Sequence, residues 1–420
     1  MLGVVPGLVR PVVVAAEPAQ SLVVVGPTQS GKTSCLAVPA ILNWQGPVVA
    51  ASVKSDLLRD TLGACRRRGR VWCIDPTGAT GLAASEWSPL TGCRDWRRAC
   101  AVASDLCDAV KTSGDGGGGA MADGDFWYAT AAKLLAPLFH AAALDGRPVS
   151  DVVRWVDTQE VEEVAWILEG QAGGGGGVAL DAARASWCRD ERTRSSVYTT
   201  AETVLAPFAH PPLVGGGEAF TPEQLLGGPH TLYVCAPAHD QRRLRAYFTA
   251  LVQQVVACAF TTSTRARCAL DPPLLVVLDE AAHIAPLPEL DGLAATCASH
   301  GVQLVTVWQD LAQVRSRYGA RAATVVNNHR AKLFLPGIAD PETLDHASRL
   351  VGDEEITVPS VTRDRTGAHS TTATTGPRRM LPPESLRCLP RGQAVLVYGA
   401  LPPARLRLRP WWTSVGSAEG

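Results

Sequence analysis

A glycine-rich segment near the start of the chain has the residue types and spacing that hold phosphate groups. Residues 26–33 read GPTQSGKT and match the pattern G-x-x-x-x-G-K-[ST], and apolar runs on both sides predict a strand before the segment and a helix after it. In that setting backbone N–H groups face phosphate oxygens, Lys32 bridges the β- and γ-phosphates, and the Thr33 hydroxyl binds Mg²⁺. The sequence therefore predicts a site for ATP and Mg²⁺ whose nucleotide-binding residues are Gly26, Pro27, Thr28, Gln29, Ser30, Gly31, Lys32, Thr33 and Ser34.

Two acidic residues end a later apolar run and supply the carboxylates that such a site needs. The run PLLVVLDEAAH predicts a buried strand with Asp279 and Glu280 at its carboxyl end. We expect Asp279 to hold Mg²⁺ through water and Glu280 to polarise the attacking water as a general base. An apolar run followed by two acids is common, so it is the pairing with Lys32 that makes this run informative. Lys32 and Glu280 are accordingly predicted to be catalytic.

A neutral amide ends the next apolar run and is the third predicted catalytic residue. The run GVQLVTVWQD predicts a buried strand that ends at Gln309. A side-chain amide at that place contacts the γ-phosphate or its water and distinguishes bound ATP from ADP. The alternative is a glutamine that only hydrates the end of a strand.

The elements that must position these residues follow from the hydrophobic pattern. Short apolar runs that end in polar residues predict buried parallel strands at 22–25, 48–52, 71–75, 231–235, 274–279, 302–309, 332–335 and 394–398. Together with intervening helical stretches they indicate an α/β fold with a mainly parallel sheet. Residues 94–208 change to a period of 3.6 and are predicted to be all-helical, with loops at the glycine runs 114–119 and 173–177. The Ser/Thr-rich residues 362–379 are predicted to be an exposed loop.

Composition limits the classes of protein to which the chain can belong. The 420 residues exceed one compact core of usual size, and 46% of them are hydrophobic, as in folded proteins. The formal net charge of -1 means that any contact with nucleic acid has to come from a local positive surface. The twelve cysteines form no CxxC pair, which favours reduced thiols in the cytoplasm, and no apolar run is long enough to span a membrane.

Several motifs in order give the chain a resemblance to a known family. GPTQSGKT, VVAASVKSDLL, VWCIDPTG, DFW, VVLDEA, GVQLVTVWQDLAQVRSRYG and NNHRAKLFLPGIADPETLDHASRLVGDEE follow one another as in the type IV secretion coupling ATPases, the VirD4/TraG/TraD family. The resemblance covers about residues 21–355, and LPPESLRCLPRGQAVLVYG continues it. A phosphate loop alone would fit many families, whereas this succession of motifs is specific.

The resemblance implies a fold, an activity and partners. Family members have a RecA-like P-loop NTPase domain interrupted by an all-helical domain, which implies two parts of one nucleotide-binding domain at residues 1–93 and 209–410, an inserted all-α domain at 94–208 and a tail at 411–420. The implied activity is ATP hydrolysis that moves single-stranded DNA with its relaxase, or secreted proteins, to a type IV secretion channel. The implied assembly is a homo-hexameric ring, cytoplasmic and peripheral at the inner face of the cell membrane. Membrane contact then comes through a partner or an N-terminal anchor that is missing here.

The chain departs from the family pattern at three places. Many members have membrane-spanning helices before the motor domain, which are not seen here. Many members also carry an arginine eleven residues before the sensor glutamine that acts on the neighbouring subunit's ATP, and Ala298 stands at that position. Finally, SVKSD replaces a frequent acidic-Pro-Lys-Gly pattern, and we assign no role to its Lys54 or Asp56.

A basic stretch at residues 310–332 offers a replacement for the missing arginine. It contains Arg315, Arg317, Arg321, Arg330 and Lys332. Such a patch either grips DNA phosphates in a channel or supplies an arginine in trans, with Arg315 and Arg330 as first choices, and the alternative is an ordinary solvated face.

Two other functions stay open at this point: a translocase of double-stranded DNA of the chromosome-pumping type, and a docking platform that binds nucleotide and hydrolyses little.

Overall fold

A computed structural model describes residues 3–5, 12–15, 17, 19–113, 122–170, 176–209, 217–237, 239–363 and 369–413 of the chain. The strands in these ranges are β1 (Gly3–Val5), β2 (Val12–Val14), β3 (Leu22–Val25), β4 (Val48–Ser52), β5 (Val71–Ile74), β6 (Thr231–Cys235), β7 (Leu274–Asp279), β8 (Val302–Trp308), β9 (Ala331–Phe334), β10 (Asp353–Arg363), β11 (His369–Arg379), β12 (Gln393–Tyr398) and β13 (Ala404–Arg407). All eight predicted strands are present, with ends that differ by one residue at most. The prediction of a parallel strand is wrong for residues 394–398, because β12 pairs antiparallel with both β9 and β13.

Helices fill the intervals between the strands. Their bounds are α1 (Val38–Leu42), α2 (Asp56–Arg68), α3 (Trp96–Ser113), α4 (Ala122–Asp145), α5 (Val149–Asp157), α6 (Glu162–Glu169), α7 (Gly176–Trp187), α8 (Glu191–Leu205), α9 (Pro222–Leu226), α10 (Gln241–Ala266), α11 (Ala281–Ile284), α12 (Leu290–Thr296), α13 (Leu311–Tyr318), α14 (Ala322–Asn328), α15 (Pro341–Val351) and α16 (Pro383–Arg387). A turn of π-helix, Thr33–Ala37, leads directly into α1.

The predicted α/β fold with a mainly parallel sheet is confirmed. Within the described residues the large sheet has the strand order β2-β1-β13-β12-β9-β3-β8-β7-β4-β6-β5. The strands from β9 to β5 are parallel, and the four strands beyond β9 are antiparallel. Crossover helices are what parallel neighbours require, because a short hairpin cannot join them.

Both faces of the parallel sheet are covered, which explains why its strands read as continuous apolar runs. All the residues of β3, β4, β6 and β7 are buried. Val23 and Val25 belong to the same core as the buried side chains of α4 and α10, whereas Leu22 and Val24 belong to the core that includes α1 and α2. Alternate side chains of one strand thus point to opposite faces, and each face is buried under helices.

The predicted helical block is present as α3–α8, between β5 and β6. The long helix α4 packs against α3, α7 and α8. Its buried side chains are continuous with those on one face of the sheet. The division of the chain into domains at residues 94 and 208 stays a prediction.

Two predicted loops differ from the structure or lie outside it. Residues 114–119 and 173–175 lie outside the described residues, and Gly176 and Gly177 form the first turn of α7, so the loop prediction is wrong for those two glycines. Residues 369–379 are also not a loop. They form β11, which pairs along its whole length with β10, in line with the preference of Thr, which occurs four times in β11, for strands. Residues 362 and 363 end β10, and residues 364–368 lie outside the described residues. In the part of the chain that the structure describes, no helix combines the length and the apolar character needed to cross a bilayer.

Candidate functional site

The site lies at the carboxyl edge of the parallel sheet. The strands β3, β8, β7 and β4 are neighbours in that order, so the residues that follow them meet at one edge. Those residues are the phosphate loop after β3, Gln309 after β8, Glu280 after β7 and Lys54 shortly after β4. The sheet therefore brings the predicted loop, acids and amide to a common edge, where open α/β sheets bind their ligands.

The backbone of the phosphate loop has the bends that a glycine-rich cradle needs. Gly31 has φ +90° and Gln29 has φ +63°, so the chain passes twice through the left-handed region. A β-carbon on Gly26 would lie 2.8 Å from Cβ of Leu335, which follows β9. Thr28 and Gln29 are exposed, and Pro27, Ser30 and Ser34 are half-buried. The loop is thus closely packed at its base and open at its tip.

Lys32 points back onto its own loop. It is 7% exposed, and Nζ donates hydrogen bonds to the carbonyl oxygens of Gly26 and Pro27, each at 2.6 Å. Burial lowers the pKa of the Lys32 ammonium, while the carboxylates of Asp279 and Glu280 act in the opposite direction. Phosphate oxygens that enter the loop can replace the two carbonyls as acceptors for a charged donor that is already in place.

Asp279 and Thr33 form a pair of oxygen ligands of the kind that Mg²⁺ prefers. Oγ1 of Thr33 donates to Oδ2 of Asp279 at 3.0 Å, and Oγ of Ser52 donates to the same oxygen at 3.3 Å. Asp279 is 3% exposed, and burial raises the pKa of its carboxyl, while the hydrogen bond from Thr33 opposes that rise. A hydroxyl beside a buried carboxylate fits a hard cation bound by one or two protein oxygens and water.

Glu280 sits on the sharp turn that ends β7. Its φ is +63°, a value that few residues other than glycine adopt. Its carboxylate forms an ion pair with Lys54, with Nζ 3.9 Å from Oε1, and the two side chains are 17% and 57% exposed. Glu280 is therefore partly sheltered and faces a lysine from the neighbouring strand end.

Gln309 lies between the phosphate loop and the two acids, since β8 runs between β3 and β7. Its backbone N–H donates to Oε1 of Gln313 at 3.0 Å. Asp310 accepts from the backbone N–H of Gln313 at 2.8 Å and so caps α13. These bonds hold the turn after β8, where Gln309 is half-buried, and its contact with the γ-phosphate stays a prediction.

The two candidate arginines lie at opposite edges of the sheet. Arg315 is on α13, on the carboxyl side, and forms an ion pair with Glu342. Arg330 immediately precedes β9 on the amino side, where Nε is 3.7 Å from Oε2 of Glu17 and the guanidinium lies over the Tyr398 ring at 5.6 Å. The structure therefore does not bring the two arginines together.

Two residues of β4 and the turn after it contact the acids, and no role was predicted for either from the sequence. Ser52 bonds Asp279, and Lys54 pairs with Glu280. The available signal was the position of SVKSD at the end of a predicted strand. Strand order was the missing information, because only the placement of β4 beside β7 shows which acids those residues meet.

A family model and curated proteins match most of the chain. The family described as Type IV secretory system Conjugative DNA transfer matches residues 12–414. The chain is similar to the conjugal transfer protein TraG of Escherichia coli, with 27% identity over 361 residues, which are 80% of this chain and 55% of that protein. It is also similar to the conjugal transfer protein TraG of Rhizobium radiobacter, with 25% identity over 397 residues, or 91% of this chain and 60% of that protein. The chain thus spans little more than half the length of these relatives.

Solved structures share the fold. The unbound monoclinic form of the bacterial conjugative coupling protein TrwBdeltaN70 has a TM-score of 0.71 at 20% identity, covering 94% of this chain and 86% of that one. The plasmid coupling protein TrwB in complex with ADP and Mg²⁺ has a TM-score of 0.63 at 20% identity, covering 94% of this chain and 85% of that one.

Proposed function

The chain belongs to the type IV secretory system family for conjugative DNA transfer, and from that premise we propose that it is an ATP-hydrolysing coupling motor. The motor delivers single-stranded DNA, a relaxase–DNA complex or secreted proteins to a type IV secretion channel. The observation that carries the proposal is the meeting of a phosphate loop, a buried Asp279 and Gln309 at one edge of a parallel sheet. The family is described by conjugative DNA transfer, and the TraG relatives are named as conjugal transfer proteins, which supports a role in transfer.

ATP and Mg²⁺ are the proposed ligands. Lys32 would grip the β- and γ-phosphates in place of the two loop carbonyls, and Thr33 and Asp279 would hold the metal. Mg²⁺, when bound, neutralises charge on the phosphate oxygens. A TrwB structure is described as a complex with ADP and Mg²⁺, which supports this choice.

The proposed reaction is hydrolysis of the γ-phosphate. Glu280 takes a proton from water, the water oxygen bonds to the γ-phosphorus, and the bond from that phosphorus to the bridging oxygen breaks. The products are ADP and phosphate, and the proton passes from Glu280 to solvent. Gln309, at the end of the strand between the loop and the acids, orients the water and responds to loss of the γ-phosphate.

We propose a homo-hexameric ring that works at the inner face of the membrane. Arg330 is the better candidate for an arginine in trans, because it lies at the same edge of the sheet as Ala298, the position that carries the arginine in many family members. Arg315 lies at the other edge, so a contact with DNA or a structural ion pair suits it better. In mixed rings with wild type, Arg330→Ala should lower turnover more than Arg315→Ala.

ATP turnover by the purified chain tests the proposal. Wild type, Lys32→Ala and Glu280→Gln are compared without DNA, with single-stranded DNA and with double-stranded DNA. We expect single-stranded DNA to stimulate wild type most and both variants to lose turnover, with Glu280→Gln still binding nucleotide.

Each contrary result has its own meaning. Stronger stimulation by double-stranded DNA would favour a translocase of the chromosome-pumping type. Wild-type turnover no faster than that of Lys32→Ala, in every DNA condition, would contradict the motor and favour a docking platform.

A further inference from the structure

We propose that Lys54 is a positioning residue that holds the Glu280 carboxylate in place for proton abstraction. The inference rests on the proposed ATPase function and adds one residue to its machinery. It starts from the ion pair of 3.9 Å between Nζ of Lys54 and Oε1 of Glu280.

The pairing of β4 with β7 brings Lys54 and Glu280 close together. β4 and β7 are parallel neighbours, and Ser52 lies directly opposite Asp279 in their register. Each strand then ends, Glu280 follows Asp279, and Lys54 follows Ser52 after one intervening residue. The two side chains therefore project from adjacent strand ends at the same edge.

A chain of hydrogen bonds fixes the turn that carries Lys54. The backbone N–H of Lys54 donates to Oγ of Ser52 at 3.2 Å, and that hydroxyl donates to Oδ2 of Asp279 at 3.3 Å. One serine thus ties the turn after β4 to the carboxylate that we assign to Mg²⁺. Because Ser52 bonds both the backbone of Lys54 and Asp279, the proposed metal ligand, the position of Lys54 relative to the two acids is fixed.

The charges at the site give Lys54 a task that Lys32 does not perform. The ammonium of Lys32 donates to two carbonyls of the phosphate loop, whereas Lys54 faces the carboxylate of Glu280. The ion pair is with Oε1, and Oε2 is the oxygen that we assign to the proton from water. A carboxylate held at one oxygen keeps the other in a narrow range of positions, and small misplacements of a catalytic group are costly.

Steady-state kinetics of Lys54→Met test the inference. We expect kcat for ATP hydrolysis to fall by about tenfold to a hundredfold, the range for a misplaced catalytic group. KM for ATP and the affinity for a fluorescent ADP with Mg²⁺ should stay as in wild type. Lys54→Arg should recover most of kcat, since it restores a cation, and Lys133→Met, at an exposed lysine of α4, serves as the matched control.

A double variant separates this role from others. If Lys54 acts through Glu280, then Lys54→Met in the Glu280→Gln background should lower single-turnover hydrolysis no further than Glu280→Gln alone. A full additional loss, a raised KM with unchanged kcat, or wild-type kinetics of Lys54→Met would each overturn the positioning role. Failure of wild type to exceed Lys32→Ala would instead overturn the proposed ATPase and this inference together.

Discussion

Backbone strain at Glu280 predicts that this residue, our proposed catalytic base, lowers the stability of the chain. With φ at +63°, a residue that has a β-carbon is about 1 kcal/mol less stable than in an ordinary conformation. Asparagine tolerates this region better than other residues, because its short polar side chain bonds locally. Glu280→Asn and Glu280→Gln remove the same charge, so the ion pair with Lys54 and the repulsion by Asp279 change alike in both. We expect the Asn variant to be more stable than the Gln variant by about 1 kcal/mol.

Urea unfolding followed by tryptophan fluorescence measures this difference. If the free energy of unfolding depends equally on urea concentration in both variants, a higher midpoint for Glu280→Asn than for Glu280→Gln reports its higher free energy of unfolding. The same pair of substitutions at Glu162, in the first turn of α6, is the control. There the order should reverse slightly, because glutamine has the higher helix propensity.

Two results would refute the reasoning. Equal midpoints for the two variants at residue 280 would mean that the turn after β7 stores no strain. An equal advantage for asparagine at Glu162 would mean that the effect has nothing to do with the left-handed backbone. Both variants should hydrolyse ATP far more slowly than wild type, whatever their relative stability, which would separate the stability of this turn from its function.

Three further predictions address the metal, the pH and the packing. Thr33→Val removes the hydroxyl that lies 3.0 Å from Asp279, so calorimetry should find that Mg²⁺ no longer improves ADP binding, whereas Thr33→Ser retains the effect. Burial lowers the pKa of His329 from the ordinary value of 6.5 to about 4. Between pH 6.5 and 4 the native chain therefore binds fewer protons than the unfolded chain, so the free energy of unfolding should fall by up to about 3 kcal/mol as the pH drops through that window. The urea midpoint of His329→Gln should change less with pH over that window. A pH dependence equal to that of wild type would contradict the assignment of this effect to His329. Gly301→Ala should lower the free energy of unfolding by about 2–3 kcal/mol, because φ is +72° and the new β-carbon would lie 2.5 Å from the Leu270 backbone nitrogen. Gly292→Ala, whose new β-carbon would meet nothing within 4 Å, should instead raise the free energy of unfolding by up to about 1 kcal/mol. Thermal unfolding of both variants measures the difference.

The parallel core of the fold could be predicted from the sequence because its strands are buried on both faces. Such strands read as short apolar runs; all eight predicted runs are strands, and seven of them form the parallel core, β12 being antiparallel. The strands β1, β2 and β13 were not predicted. β13 reads ARLR, with residues that are mostly not buried, so it has no apolar run to detect. The pair of β10 and β11 was missed for the same reason, since β11 reads HSTTATTGPRR and contains no apolar run.

The candidate site could be predicted only as far as its motifs reach. The loop at Lys32 and the acids at 279 and 280 are local patterns, and each needs only its own strand. Lys54 and Ser52 depend on which strand lies beside β7, and that order is not written in any local segment. The separation of the two arginine candidates could not be predicted for the same reason, because Arg315 and Arg330 are fifteen residues apart in a basic stretch, yet α13 and the start of β9 lie at opposite edges.

The position of β3 in the sheet has a consequence for how the chain is made. Leu22 pairs with Val305 on one side and with Ala331 on the other, so both partners of the strand that carries the phosphate loop are synthesised late. At the usual rate of translation, the interval between the synthesis of β3 and that of β8 is on the order of tens of seconds. The helices α3–α8 emerge during that interval and can pack among themselves, whereas an apolar strand and the phosphate loop stay without their neighbours. We therefore expect nascent chains that stop before β8 to contain a folded helical block and a phosphate loop that does not bind nucleotide.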